Sequence, residues 1–92
     1  MNPQLFTAFN NRGNAWRDKG DNDKAIGDFN EAIRLNPQFA AALLFRGLTH
    51  EVMNNLEIAL TDFKNFARLE PSSPIGQKVI MGIEAKIDAR KR

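Results

Sequence analysis

A chain of 92 residues with 42% hydrophobic content, a net charge of +2 and no cysteine can form one small domain with a core, and disulfide staples, thiolate chemistry and cysteine-based metal sites are excluded. Lysine and arginine are dispersed apart from Arg90, Lys91 and Arg92. The pI of about 9.3 therefore does not describe the basic face of a nucleic-acid binder. The first residues lack a basic segment followed by an apolar run, and no apolar stretch reaches the roughly 18 residues that span a bilayer, so neither a secretory signal nor membrane insertion is expected.

Helix punctuation recurs along the chain. Asn2 is placed to cap a first helix that has Pro3 in its opening turn, and Leu5, Phe9 and Trp16 follow at helical spacing. Gly20-Asp21 then interrupts, the glycine suited to a left-handed C-terminal position and the aspartate to capping the next helix. That second helix carries Ala25, Ile26, Phe29 and Ile33. Asn36-Pro37 repeats the opening device before a third helix, and Asn54-Asn55 stands where Gly20-Asp21 stood. Ser73-Pro74 opens a last helix striped with Ile75, Val79, Ile80, Ile83 and Ile87. These signals predict five helices over about 4–19, 22–35, 38–53, 56–69 and 74–89, no strand, and an all-α stack of antiparallel hairpins joined by short loops.

Slid along itself by 34 positions, the chain matches at Asn2/Asn36, Pro3/Pro37, Ala8/Ala42, Arg12/Arg46, Gly13/Gly47, Ala25/Ala59, Asp28/Asp62, Phe29/Phe63 and Leu35/Leu69, among other pairs. A fixed period of this length denotes stacked repeats that bury their apolar faces against one another. The residues Phe9, Arg12, Gly13, Trp16, Gly20, Ala25, Phe29, Ala32 and Pro37, and then Leu43, Arg46, Gly47, His50, Asn54, Ala59, Phe63, Phe66 and Pro71, resemble the tetratricopeptide repeat (TPR) pattern. The resemblance implies a right-handed α-solenoid forming a single domain over 1–92. Repeat one would span about 6–39, repeat two about 40–73, and a capping helix about 74–89. Asn2-Pro3-Gln4 reproduces Asn36-Pro37-Gln38 at a repeat boundary, as expected either of a piece of a longer array or of a short protein with a good first cap. Asn22 departs from an aromatic position of the pattern, and Phe66 from one usually held by alanine. The first hairpin turn is therefore expected to pack less well, and repeat two to repack around a larger ring.

In this family the first helices of successive hairpins line a concave groove that takes peptides or partner helices. By position, Asn10, Asn14 and Arg17 supply polar contacts there, and Leu44, Phe45, Leu48 and Val52 form an apolar stripe one helical turn apart. Two fates are open to that stripe: coverage by the cap helix or a neighbouring repeat, or engagement by a partner helix or a second copy of the chain. One TPR subgroup clamps the C-terminal carboxylate of chaperones with a Lys-Asn-Asn-Lys-Arg set. The matching positions are Asn10, Asn14, Phe45, Ile75 and Val79, of which Asn14 alone fits, and the cations that would pair with the carboxylate are missing.

Other chemistry finds little support in the residues. His50, the sole histidine, falls on the face packed inside the hairpin and lacks partner ligands for a metal. Asp18, Asp21, Asp23 and Asp28 read as capping or solvated carboxylates. Trp16 reads as core, and Arg90-Lys91-Arg92 as a complement to a helix C-terminus. No catalytic residue, metal or cofactor is expected. The reading is a protein–protein interaction module (scaffold or adaptor) that binds a peptide or partner helix, with homo-oligomerisation through the same stripe as the alternative. Cytoplasmic residence is the default expectation.

Overall fold

Alanine and phenylalanine at spacings of four and three residues give two of the helices a narrow, flat buried edge. Ala25, Phe29 and Ala32 are fully buried in one; Ala59, Phe63 and Phe66 are buried in the other. Both edges face glycines. A Cβ added to Gly13 would lie 2.7 Å from the Phe29 ring, and one added to Gly47 would lie 2.5 Å from the Phe63 ring. Hydrogen alone at these glycines lets the paired helices close on a phenylalanine whose burial contributes about 2–3 kcal/mol. The computed structural model describes residues 5–92, and these form α1 (Leu5–Asp18), α2 (Asn22–Leu35), α3 (Ala40–Val52), α4 (Leu56–Leu69) and α5 (Pro74–Arg90), with no strand among the described residues. The Asn2-Pro3 cap lies outside the described residues.

Each helix packs on its neighbours in chain order, and α1 also touches α3. The hairpin turns form as their residues dictate. Gly20 has φ +83° and Asn54 has φ 66°, the left-handed conformation these two residue types tolerate best. The Asp21 carboxylate then accepts a hydrogen bond from the Lys24 backbone N–H at 3.3 Å. Asn55 caps no backbone group with its side chain; its carboxamide nitrogen instead meets His50 Nδ1 at 3.3 Å.

The junction between repeats corrects one expectation. Asn36-Pro37 does not open α3. Asn36 ends α2, and its carboxamide oxygen accepts from the Gln38 backbone N–H at 3.2 Å, holding residues 36–39 in a turn. The helix starts at Ala40 with Phe39 in the cap position. The physical reason is that a ring at 39 has a better use than a helical turn: it packs edge-on against Phe6, with centroids 4.9 Å apart. Ser73-Pro74 does behave as a cap, Ser73 Oγ accepting from Ile75 N–H at 3.2 Å.

A further correction concerns Asp28. It is buried rather than solvated, and its carboxylate takes two hydrogen bonds from Arg12, at 2.7 and 2.8 Å. Asp62 and Arg46 duplicate the arrangement at 2.9 and 2.8 Å. Fork-to-fork geometry of this kind fixes the angle between the two helices of a hairpin as well as neutralising the charge.

Helix α5 closes the stack. Ile83 is fully buried with Leu56, Ala59 and Phe63, and Val79, Ile80 and Ile87 flank that cluster. Phe66 nucleates a second cluster with Ala40 and Leu43. Gly76 sits beside it, where an added Cβ would meet the Ala67 Cβ at 2.9 Å, so the missing side chain lets α5 close on α4. Lys86 pairs with Glu51 at 2.6 Å and Arg90 pairs with Glu57, tying α5 to α3 and to the start of α4.

Candidate functional site

One turn of α1, the first hairpin turn and the last turn of α3 meet around an open hollow of about 440 Å³, lined by Arg17, Gly20, Asn22, Leu48, Glu51 and Val52. Arg17, Leu48 and Val52 were all expected to be contact residues, and the fold brings them together although α1 and α3 are separate in sequence. Helical spacing aligns Leu48 with Val52 along α3. Gly20 in its left-handed conformation ends α1, so the Arg17 side chain reaches across to α3. Its guanidinium stands 5.2 Å over the Phe45 ring, a cation–π geometry that Arg favours. Phe45 in turn stacks on buried Phe29 at 6.3 Å with an interplanar angle of 24°. The site is thereby braced against the core of the first hairpin.

The electrostatics leave one cation available. Arg17 forms no ion pair among the described residues, whereas Glu51 on the opposite wall is held by Lys86. Val52 is 73% exposed. Leu48 is half-buried and packs on the Leu56–Phe63–Ile83 cluster.

The remaining expected contacts lie deeper. Leu44 packs against both core clusters. Asn10 is buried and Asn14 half-buried, and the carboxamide oxygen of each is shut away without a hydrogen-bond donor among the described residues. The upper part of the apolar stripe thus packs on the core clusters, while its lower end, at Val52, is open. Trp16 also differs from the expectation of a core residue. It is half-buried, with Lys24 Nζ 4.4 Å and Lys19 Nζ 5.6 Å from its ring. Beside it Asn22 leaves the anticipated gap, an open hollow of about 420 Å³ that Lys19, Asp21 and Met53 also line.

His50 is half-buried, and burial pushes its imidazole below the usual pKa. No group of three His, Asp or Glu among the described residues is placed to hold a metal ion. No helix among them is long and apolar enough to cross a membrane.

The Tetratricopeptide repeat family profile matches residues 6–39, and that repeat's glycine, phenylalanine and ion pair recur 34 residues on in the same geometry. Residues 6–39 are thus a tetratricopeptide repeat. The first TPR of Spaghetti (RPAP3), bound to the HSP90 peptide SRMEEVD, superposes with a TM-score of 0.88 at 24% identity, covering 95% of this chain and 69% of that one. The Sgt2 TPR domain from Aspergillus fumigatus also gives 0.88, at 22% identity over 98% of this chain and 61% of that one. Both likenesses concern the TPR fold. Among curated proteins, UDP-N-acetylglucosamine–peptide N-acetylglucosaminyltransferase of Giardia intestinalis is 32% identical across 97% of this chain and 7% of its own length. The chain spans less than a tenth of the length of the curated relatives it matches.

What the pairing of Arg12 with Asp28 does for a TPR hairpin was missed in the sequence because each residue was weighed alone. The signal was present: both members of the pair recur at period 34, and the separation within each pair is 16 residues.

Proposed function

We propose that this TPR chain is a protein-interaction module that seats a peptide in the Arg17–Leu48–Val52 hollow. The observation that carries this reading is the convergence of an unpaired arginine and two aliphatic side chains on one open cavity. An aliphatic side chain of the peptide lies on Leu48 and Val52, and a carboxylate beside it meets Arg17. The peptide backbone runs on toward half-buried Asn14, whereas Asn10 is buried beneath the surface.

The neighbouring solved structure holding an HSP90 peptide supports a peptide as the class of ligand. The mode differs, because the positions of the carboxylate-clamp cations are occupied here by buried Asn10, exposed Ile75 and half-buried Val79. Panning a displayed peptide library on the protein tests the proposal, with counter-selection on Val52→Glu. Enriched peptides should combine an aliphatic residue with a neighbouring Asp or Glu, and lose at least tenfold in affinity for Val52→Glu. Equal binding to both proteins would overturn the assignment.

A second reading, association of two copies, is favoured by the exposure of Val52, Ile75 and Met81. Light scattering on a sizing column from micromolar to millimolar protein separates the two. A mass of 10.4 kDa throughout supports a foreign peptide. A dimer that Val52→Glu dissolves means that the hollow is filled by the protein itself.

A further inference from the structure

The two repeats present the same face to two different environments. On α3 that face is covered by α2: Ala42 and Leu43 are buried, Ile33 packs against the Leu43 cluster, and the free Nη1 of Arg46 donates to the Asn30 carboxamide oxygen at 2.9 Å. The equivalent positions on α1, 34 residues earlier, are Ala8, Phe9 and Arg12. Ala8 is exposed and Phe9 half-buried, and together with Leu5 and Arg12 they line a largely apolar hollow of about 170 Å³. Arg12 keeps its bidentate bond to Asp28 and stands 5.4 Å over the Phe9 ring, but it forms no third hydrogen bond among the described residues, and its side chain is 62% exposed against 24% for Arg46.

We infer that this outer face of α1 is a docking site for one amphipathic helix of defined chemistry. The helix carries a side-chain carbonyl, from Asn or Asp, and an aliphatic residue three positions later. The template is internal. Asn30 and Ile33 are that pair on α2, and they meet on α3 Arg46 and the Leu43 cluster, the counterparts of Arg12 and Phe9 on α1. The docked helix places its oxygen on Arg12 Nη1 and its aliphatic side chain in the Leu5–Ala8–Phe9 hollow, on the side of the molecule away from Val52. The inference does not depend on the peptide hollow.

The probe is a synthetic peptide of this chain's residues 21–36, locked helical by a staple between positions 24 and 28, titrated into ¹⁵N-labelled full-length protein. Both stapled positions lie on the side of the helix opposite the Asn30–Ile33 edge. Amide shifts are expected to move at Ala8, Phe9, Arg12 and Ala15. An Ala8→Arg protein, which fills the hollow from an exposed helical position, should bind about tenfold more weakly or worse, and so should a peptide with Asn30→Ala and Ile33→Ser. Unchanged α1 shifts, shifts confined to Leu48 and Val52, or binding indifferent to Ala8→Arg would each overturn the inference. So would concentration-dependent α1 shifts without peptide that Ala8→Arg abolishes, because the occupant would then be a second copy.

Discussion

Asp62 lies with its side chain only 3% exposed and takes two charge-assisted hydrogen bonds from Arg46, while Arg46 spends its third nitrogen on Asn30 of the preceding repeat. One residue pair therefore links three helices: α3 to α4 within the second hairpin, and α3 to α2 between hairpins. Asp62→Asn is expected to destabilise the fold by about 2–3 kcal/mol, because it removes the charge that compensates a largely buried guanidinium. Asp28→Asn should cost clearly less, since Arg12 is already well hydrated. Urea unfolding of the two variants checks the order, and equal effects would mean that the link to Asn30 contributes nothing.

Glycines at four helical positions divide into two kinds. Gly13 and Gly47 lie under the Phe29 and Phe63 rings, and both rings are fully buried with nowhere to retreat. Alanine at either position should cost about 1–3 kcal/mol through overpacking, despite its better helix propensity. Gly27 and Gly82 have no atom within 4 Å of an added Cβ. Alanine there should stabilise by about 0.5–1 kcal/mol, and thermal melts of the four variants should split in sign.

Helix number, hairpin turns and the recurrence of the glycine and phenylalanine positions were legible in the sequence because each depends on local propensity or on a period that the chain states twice. Gly20 and Asn54 announce their left-handed turns, and Gly13 and Gly47 announce close approach by recurring 34 residues apart. What escaped was decided by contacts between segments. Phe39 delays the start of α3 because Phe6 lies within ring-packing distance. Asp28 reads as one of several carboxylates near a turn until Arg12 is seen across the hairpin. At the site, spacing placed Leu44 and Val52 on one stripe, but it could not say that the first would pack against the core clusters while the second stayed exposed.

The single imidazole makes stability depend on pH in a stated direction. Burial lowers the His50 pKa from its ordinary 6.5, the Asp62 carboxylate opposing that shift and the Arg46 guanidinium adding to it. The unfolded chain therefore binds a proton more readily than the fold does, and stability falls as pH drops through 6.5 toward the lowered value. Above pH 7 the contribution is complete. Melting temperature should decline between pH 7 and pH 5.5 in the native protein and stay flat over that window in His50→Gln. Carboxylates such as Glu31 and Glu57, held low by Arg34 and Arg90, act only at more acid pH.

The likeness to a TPR bound to SRMEEVD offers a sharp discrimination between two binding modes on one fold. A clamp for a free C-terminal carboxylate needs fixed cations, and Ile75 and Val79 on α5 supply none. Arg17 is the unpaired cation of the site, and it stands beside Leu48 and Val52 at the hollow's rim. Isothermal titration with SRMEEVD should therefore show no saturable binding at a Kd below about 1 mM, a limit near −4 kcal/mol. A peptide recovered by panning should bind well above that threshold, with affinity falling on Arg17→Gln and as salt rises from 50 to 500 mM. Its amidated C-terminus should bind as well as its free acid, because an internal carboxylate makes the contact. Loss of binding on amidation, together with measurable SRMEEVD affinity, would place the ligand in a clamp mode and remove Arg17 from the role assigned to it.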